Sequence, residues 1–178
     1  PANRGSRWAN SGLVVEIHPE DVLSTPTNDP LALMNWIERL EGESWTQARC
    51  SLRAPAQRMT DFLSGRSSVD LPKSSYNMGL TPSRLDEWLP SFITKRIQKA
   101  FQLFDRQTKG FLTAEAQLIA LESRTSSPVR ILRESTSCEH PLLRGLFPCG
   151  EGAGYAGGIV SAAMDGERCA EGVASYLG

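Results

Sequence analysis

The sequence lacks an excess of charge of either sign, and it lacks any long hydrophobic run. Its 178 residues include 19 Lys and Arg against 20 Asp and Glu, a net charge of −1, so it has none of the basic excess of a nucleic-acid-binding protein. No stretch approaches the roughly 18 apolar residues that a membrane span requires. With 40% hydrophobic and 22% charged residues, the composition is that of an ordinary globular protein. We therefore expect a soluble protein with no nucleic-acid partner and no integral membrane role.

The chain is also poor in residues that bind metals. It has 4 cysteines and 2 histidines, and no C-x-x-C pair. The nearest cluster, Cys138-Glu139-His140, would need adjacent side chains to curl round one ion, so we interpret it as a solvated loop and predict no metal site. Unpaired thiols indicate a reducing compartment. Cys149 has no second cysteine beside it in the sequence and is interpreted as a packing residue. The first residues do not show a charged segment followed by an apolar segment, so no signal peptide is predicted.

Hydrophobic periodicity predicts a largely helical N-terminal part. A β-branched apolar run predicts a strand over residues 12–17, and a stretch rich in Ser, Gly and Pro predicts a surface loop over residues 64–79. Apolar residues at helical spacing predict four amphipathic helices, the second of which would end at Gly65. These helices cover residues 30–40, 54–63, 81–89 and 91–105.

The pattern changes after Gly110. Short apolar runs predict strands over residues 117–122, 128–133 and 145–149. Small apolar residues at helical spacing predict a final helix over residues 158–177, which is able to pack closely on a sheet. The predicted fold class is α/β.

A glycine-rich segment, residues 150–158, lies between the last predicted strand and the final helix. The stretch from Gly145 onward holds nine of the chain's 15 glycines. Glycine lacks the Cβ that would block an approaching ligand, and the N–H groups at a helix start favour anions. The segment therefore fits either a phosphate or cofactor loop or a tightly packed structural turn. Gly152-x-Gly154-x-x-Gly157 matches the dinucleotide fingerprint, but the second strand and acidic residue of that motif do not follow it, so it is not the first turn of a Rossmann domain.

Two long motifs resemble those of a known family. They read LESRTSSPVRI at residues 121–131 and RGLFPCGEGAGYAGGIVSAA at residues 144–163. RAPAQR at residues 53–58 and RWANS at residues 7–11 extend the likeness over nearly the whole chain. The sequence resembles the C-terminal part of a family of FAD-dependent dehydrogenases, distant relatives of the glutathione-reductase-type flavoproteins. Residues 6–10 are similar to versions from plants and algae.

The resemblance implies the C-terminal half of a split FAD-binding Rossmann-like domain plus a largely helical inserted domain. Residues 1–115 would belong to the inserted, substrate-type domain, and residues 116–178 would close the FAD-binding domain. FAD would be bound only when the missing N-terminal half is present.

The same resemblance implies a set of flavin-contacting residues. Glu151 would accept a hydrogen bond from a ribityl hydroxyl, and the helix that opens at Gly158 would direct its N–H groups at the pyrimidine edge of the flavin. No catalytic residue is assigned. The cofactor-binding residues implied by position are Gly150, Glu151, Gly152, Ala153, Gly157, Gly158, Ile159, Arg124 and Ser126.

Two functions of different classes follow. In the first, the chain is the C-terminal portion of an FAD-dependent oxidoreductase and works with the missing N-terminal half. In the second, it is a non-catalytic accessory subunit derived from such a flavoprotein and docked on partner chains of a larger complex, with a plastid complex as one host. A plain α/β domain that merely keeps the glycines is indistinguishable from the second by sequence. Alone, the chain is expected to be inactive in each case.

Overall fold

The computed structural model describes residue 5, residues 7–22 and residues 29–178. These residues form a mixed α/β fold with one three-stranded sheet of order β2-β1-β3. The strands are β1 (Ala54–Arg58), β2 (Leu80–Pro82) and β3 (Gln117–Ile119). The helices are α1 (Pro19–Val22), α2 (Ala32–Gln47), α3 (Met59–Ser64), α4 (Leu85–Trp88), α5 (Ser91–Gln107) and α6 (Ile159–Leu177).

Two compact units make up the chain. The first combines the described residues up to Asp21 with Glu38–Leu121, and the second combines Val22 and residues 29–37 with Glu122–Gly178. The two units are defined by the packing of residues within each unit, and this packing does not show which residues bind a substrate or a cofactor. The functional boundary at residues 115 and 116 therefore stays a prediction.

The central strand of the first unit is β1. It pairs in parallel with β2, with Pro55 opposite Thr81, and antiparallel with β3, with Gln57 opposite Leu118. The first four residues of β1 are buried. The helix predicted over residues 54–63 is therefore wrong in its first half, because pairing and burial on both sides stabilise the extended backbone against a weak local helical pattern. The second half is α3, which ends as predicted at Gly65, where φ is 63°.

Gln57 is fully buried in β1, and its side-chain amide is satisfied on both ends. Its Nε2 donates to the Arg66 carbonyl at 2.9 Å and to Asp86 Oδ1 at 2.6 Å, and its Oε1 accepts from the Asp86 amide at 3.2 Å. Burial acts to raise the pKa of Asp86, but the hydrogen bonds from Arg84 and Gln57 outweigh it and hold that pKa below its ordinary value. The network links the centre of the sheet to α4.

Helix α5 contributes to the aromatic core of the first unit. The helix predicted over residues 91–105 is confirmed and continues to Gln107. Phe101 is fully buried, and its ring centroid lies 6.3 Å from that of Phe62 and 6.0 Å from that of Phe111. These rings account for the apolar stripe that the sequence places along α5.

Residues 12–17 do not form the predicted strand. They lie beside α5, where Arg96 donates to the Glu16 carbonyl at 3.0 Å. In the part of the chain that the structure describes, no strand pairs with them, and an unpaired β-branched run has no backbone ladder to hold it extended.

Two predicted helices of the N-terminal part have different bounds. The helix predicted over residues 30–40 begins at Ala32 and continues to Gln47, since neither Pro nor a turn sequence interrupts it before Ala48. The helix predicted over residues 81–89 is reduced to α4, because Leu80–Pro82 pairs with β1 as an edge strand. The irregular loop predicted before it is confirmed over residues 66–79.

The second unit contains α6, and the helix predicted over residues 158–177 is confirmed as Ile159–Leu177. Gly172 lies at a close approach, since a Cβ there would collide with the Ser137 carbonyl oxygen. The small residues of α6 therefore allow an irregular segment of backbone to lie against the helix, where their spacing predicted a sheet.

The strands predicted over residues 128–133 and 145–149 are absent from the structure. Isolated bonds replace a ladder there: the Ile131 amide donates to the Ala153 carbonyl at 3.2 Å, and the Tyr155 hydroxyl donates to the Ile131 carbonyl at 3.0 Å. Because a loop carbonyl and a tyrosine hydroxyl satisfy the backbone groups of Ile131, this apolar run does not need a neighbouring strand. The third strand prediction is confirmed over Gln117–Ile119, and that strand belongs to the first unit.

Candidate functional site

The glycine-rich loop, defined here as residues 150–158, leads directly into α6. Two backbone bonds shape it: the Gly154 amide donates to the Glu151 carbonyl at 2.9 Å, and the Tyr155 amide donates to the Gly150 carbonyl at 3.0 Å. Gly150 and Gly154 have φ of 71° and 83°, in the left-handed region that favours glycine. Ala153, one of the predicted cofactor-binding residues, is only 5% exposed, so its side chain packs inward.

One side of the loop packs against the preceding irregular segment. A Cβ on Gly154 would lie 2.6 Å from the Val129 carbonyl oxygen, so a larger residue does not fit there. Arg130 Nε donates to the Gly154 carbonyl at 3.1 Å, and the Ser127 hydroxyl donates to the Gly152 carbonyl at 3.3 Å. Gly154 is therefore a glycine because of tight packing, as in the structural turn that the sequence left open as an alternative.

The other glycines of the loop are not required by packing. A Cβ on Gly152 would meet nothing within 4 Å, and those on Gly157 and Gly158 would make ordinary contacts at 3.9 and 3.7 Å, with Ser126 Oγ and Ser161 Oγ respectively. None of the three has a φ in the left-handed region, and all are exposed. The fold itself tolerates a side chain at these positions, so their glycines leave open space beside the backbone. Such space is what a ligand that approaches the main chain requires.

Helix α6 presents its N-terminus next to this open space. The Ser161 hydroxyl accepts from the Gly158 amide at 3.1 Å and donates to the Gly158 carbonyl at 2.9 Å. Ile159, the first helical residue, is 92% exposed. A 19-residue helix carries a partial positive charge at this end, which favours anionic groups.

An ion pair between Arg133 and Asp165 fixes the start of the loop. Arg133 and Asp165 form two hydrogen bonds, Nη2 to Oδ1 at 2.5 Å and Nη1 to Oδ2 at 3.0 Å. Asp165 Oδ2 also accepts from the Gly150 amide at 2.8 Å, and Arg133 Nη1 donates to the Pro148 carbonyl at 2.8 Å. The hydrogen bonds from Arg133 hold the pKa of Asp165 below its ordinary value, and those to Asp165 raise the pKa of Arg133.

Tyr155 anchors the middle of the loop to the same arginine. The Arg133 guanidinium carbon lies 3.6 Å from the centroid of the Tyr155 ring, and that of Arg130 lies 4.9 Å from it. Cation–π contacts of this kind favour a fixed ring orientation. The loop is therefore held on the side that faces the protein and open on the side that faces solvent.

Two thiols of the second unit, Cys149 and Cys169, lie beside this ion pair. The Cys149 and Cys169 sulfurs and an Asp165 carboxylate oxygen all lie within 4.8 Å of one another, and Arg133 Nη1 donates to the Cys169 sulfur at 3.0 Å. Burial raises the pKa of Cys169 to about 12. Cys149 is exposed, so its interpretation as a packing residue is wrong. A cation is disfavoured there, because a guanidinium already binds both the carboxylate and the Cys169 sulfur.

Most of the residues that the sequence assigned to a cofactor lie on the glycine-rich loop or beside it. Glu151, Gly152, Gly157 and the start of α6 are exposed, Gly150 is half-buried, and Ser126 Oγ lies 3.9 Å from the position of a Cβ on Gly157. Arg124 is exposed two residues before Ser126, and its assignment stays a prediction. Sequence reasoning missed Arg133, Asp165 and Cys169. Their only signal was the four-residue spacing of Asp165 and Cys169 on one face of a helix.

A separate cavity lies within the first unit. It has a volume of about 410 Å³ and lies between residues 13–18 and α5, with Arg96 and His18 among its polar residues. Arg96 also forms an ion pair with Asp21 at 2.9 Å. The polar groups of this cavity are therefore engaged in contacts between the N-terminal segment and α5.

Comparison with known proteins gives the family. A family described as "FAD-dependent protein, C-terminal domain-like" matches residues 1–125. A protein from Clostridium beijerinckii, described as uncharacterized, is 38% identical over 165 residues, which are 92% of this chain and 30% of that protein. The chain thus spans about a third of the length of this relative.

These findings confirm the FAD-dependent family and leave its finer details as predictions. The likeness to glutathione-reductase-type flavoproteins and to plant and algal versions stays a prediction. Among the residues that the structure describes, no helix is both long enough and apolar enough to cross a membrane. With 125 of 178 residues matched, the chain belongs to the family of FAD-dependent proteins with this C-terminal domain.

Proposed function

We propose that this chain is the C-terminal portion of an FAD-dependent oxidoreductase and contributes the flavin-contacting loop and the N-terminus of α6. The proposal rests on the open space beside Gly152, Gly157 and Gly158. The fold has room for a side chain at each of these positions, yet each is a glycine. Membership of an FAD-dependent family gives this space a candidate occupant. A flavin, when bound, supplies the capacity to accept and pass on a hydride or electrons.

The residues of the loop would act by binding and orienting the cofactor. Gly152 and Gly157 would let the cofactor approach the main chain, and the exposed Glu151 would accept a hydrogen bond from a ribityl hydroxyl. The N-terminus of α6 would favour negative charge on the bound group. The ion pair of Arg133 and Asp165 would act indirectly, since it holds the Gly150 amide in place.

The rest of the FAD site would come from outside these residues. The relative from Clostridium beijerinckii is much longer than the part that this chain matches, and we place the first phosphate-binding turn of a split Rossmann-like domain in that additional length. In this proposal residues 1–115 belong to the inserted, substrate-type domain, and residues 116–178 close the FAD-binding domain. Substrate and electron acceptor would be bound in the inserted domain and in the additional length.

Exposed apolar residues of the second unit favour a covering partner. Leu142 is 85% exposed, Ile159 92% and Val160 72%, and the adjacent Ile159 and Val160 expose apolar surface of the kind that interaction sites use. The N-terminal half of the flavoprotein would cover them in the proposed function. In the second candidate function, an accessory subunit, partner chains of a larger complex would cover them instead, and a plastid is one location for such a complex.

Bound flavin separates the two candidates. The polypeptide that carries these residues, purified at its natural length with its associated chains, should show flavin absorbance bands between about 350 and 500 nm. A colourless protein that remains with partner chains would support the accessory subunit and contradict the proposed function.

A matched pair of variants then tests the loop itself. Gly152→Val fills the open space, while Gly12→Val changes a glycine in the first unit that also has nothing within 4 Å. We expect Gly152→Val to weaken FAD binding at least about tenfold, or about 1.4 kcal/mol, without a change in melting temperature, and Gly12→Val to change neither. Equal FAD affinity in Gly152→Val and the unsubstituted protein would contradict the role of the loop.

A further inference from the structure

The thiols of the second unit form an arrangement that flavin binding does not use. Cys149 is exposed, whereas Cys138 and Cys169 are buried. The Cys149 sulfur lies over α6, at 4.0 Å from the position that a Cβ on Gly166 would occupy. It is within 4.8 Å of the Cys169 sulfur, and a disulfide requires the two sulfurs to approach to about 2.05 Å.

Access and charge give the two cysteines different roles. Solvent and small solutes reach Cys149, while Cys169 is 4% exposed and has the Arg133 guanidinium 3.0 Å from its sulfur. A nearby cation stabilises a thiolate. Burial nevertheless raises the pKa of Cys169 to about 12, so Cys169 is a thiol at neutral pH and reacts only after Cys149 has been activated.

We propose that Cys149 and Cys169 form a dithiol that hydrogen peroxide or an organic hydroperoxide oxidises to a disulfide. This redox modification site is independent of the proposed function, because its chemistry requires no flavin. In a reducing compartment the two thiols are the resting state, and the disulfide forms only on exposure to the oxidant.

The reaction proceeds in two balanced steps. The Cys149 thiolate attacks one oxygen of the peroxide, an S–O bond forms as the O–O bond breaks, and the departing hydroxide takes up the thiol proton as water. The Cys169 sulfur then attacks the Cys149 sulfur, an S–S bond forms as the S–O bond breaks, and the second hydroxide leaves with the Cys169 proton as water. With hydrogen peroxide, two thiols are oxidised and the peroxide is reduced to two waters. With an organic hydroperoxide, the first leaving group is an alkoxide, which takes up the proton as an alcohol, and the second product is one water.

Disulfide formation would also change the support of the glycine-rich loop. Arg133 donates to Cys169 and to Asp165, and Asp165 accepts from the Gly150 amide. Pulling the Cys169 sulfur toward Cys149 removes one acceptor from this group. Oxidation of the two thiols would therefore alter the hydrogen bonds that hold the start of the loop.

The position of the arginines makes the pairing directly measurable. Trypsin cleaves after Arg49, Arg133, Arg144 and Arg168, so each of the four cysteines falls on a different peptide. The natural-length polypeptide is treated with a small excess of hydrogen peroxide, its remaining thiols are alkylated, and its peptides are analysed by mass spectrometry. We expect a cross-link between the peptide of residues 145–168 and the peptide that begins at Cys169, and its loss on treatment with dithiothreitol.

Other products would overturn the proposal. These are a Cys138–Cys169 disulfide, oxidation of Cys149 to sulfenic or sulfinic acid with Cys169 still free, and a Cys149 that does not react. Cys50 is an internal control, since it is exposed in the other unit and should form no disulfide within the chain. The mapping of the unsubstituted protein decides the pairing even if a variant fails to fold.

Three matched variants assign the roles. Cys138→Ser should retain the cross-link in full, whereas Cys149→Ser should abolish it and leave Cys169 open to alkylation after unfolding. Cys169→Ser should accumulate sulfenic acid on Cys149, which dimedone traps. Oxidation of Cys169 in the Cys149→Ser variant, at the rate of the unsubstituted protein, would contradict the role of Cys149 as the entry point.

Discussion

The Arg133 guanidinium and the Asp165 carboxylate meet through two hydrogen bonds of 2.5 and 3.0 Å, with side chains only 5% and 10% exposed. This ion pair joins α6 to the irregular segment that precedes the glycine-rich loop. The loop begins at Gly150, whose amide donates to the same carboxylate. A buried charge without its partner is costly, so the pair is a sensitive point of the second unit.

Replacement of Arg133 should therefore destabilise the protein strongly. Arg133→Ala leaves the Asp165 carboxylate nearly buried with one remaining donor, and we expect a loss of about 3 kcal/mol in the free energy of unfolding. Arg144→Ala, which removes an exposed arginine from the same unit, should cost less than about 0.5 kcal/mol. Denaturant unfolding of both variants measures the difference. Equal stability of the two would show that the ion pair contributes nothing net.

Stability should also fall in acid. Because the pKa of Asp165 is lowered in the folded protein by the hydrogen bonds from Arg133, the unfolded state binds more protons once the pH falls toward the ordinary value of 3.8. The stabilisation from Asp165 is complete above that pH and is lost as the pH drops through the lower folded pKa. Asp165→Asn should be less stable at neutral pH and should lose less on acidification. Parallel pH profiles of the free energy of unfolding for the two proteins would contradict this assignment.

Three glycines of the loop should respond differently to the same substitution. Gly154→Ala combines a φ of +83° with a Cβ only 2.6 Å from the Val129 oxygen, Gly150→Ala has a φ of +71° with open space, and Gly152→Ala has neither problem. We expect losses of about 3, 1 and 0 kcal/mol in the free energy of unfolding, in that order. Thermal unfolding of the three variants tests the order. A destabilised Gly152→Ala would show that Gly152 is structural and would remove the main support for a ligand at this loop.

Gln57 should be as important to the first unit. Gln57→Ala leaves a cavity in the sheet. It also removes the hydrogen-bond donor of the Arg66 carbonyl, the donor of the Asp86 carboxylate and the acceptor of the Asp86 amide. We expect a loss of about 3 kcal/mol in the free energy of unfolding. Gln57→Glu keeps the volume but places a carboxylate 2.6 Å from Asp86 Oδ1. Its destabilisation should therefore be large at neutral pH and smaller in mild acid, where one carboxyl is protonated. A Gln57→Glu variant whose stability shows no such pH dependence would contradict the network.

The helices that the sequence predicted best are those with a strong apolar stripe. Residues 91–105 and 158–177 have one, and the structure confirms both helices to within two residues. Local patterns were insufficient where pairing decides the conformation. The helical spacing of Met59, Phe62 and Leu63 was extended back to residues 54–57, yet those residues are buried between two strands that are distant in the sequence.

The site was predicted in part for the same reason. The glycines and the helix start are contiguous in the chain, so their common surface could be inferred from residues 150–159 alone. The packing of Gly154 against Val129 and the approach of Cys149 to Cys169 depend on how separate segments fold together. Neither leaves a recognisable spacing in the sequence, so no local pattern distinguishes Gly154 from Gly152 or identifies a partner for Cys149.

Hydrogen–deuterium exchange of the natural-length polypeptide, with and without saturating FAD, tests whether the glycine-rich loop contacts the flavin. We predict slower exchange on FAD binding over residues 150–161, where the loop and the first turn of α6 present their amides. Residues 66–79, the irregular loop of the first unit, serve as the internal reference and should exchange equally in both states. If FAD binds while exchange over residues 150–161 is unchanged, or if the natural-length protein binds no FAD, the proposed contact between the loop and FAD is contradicted.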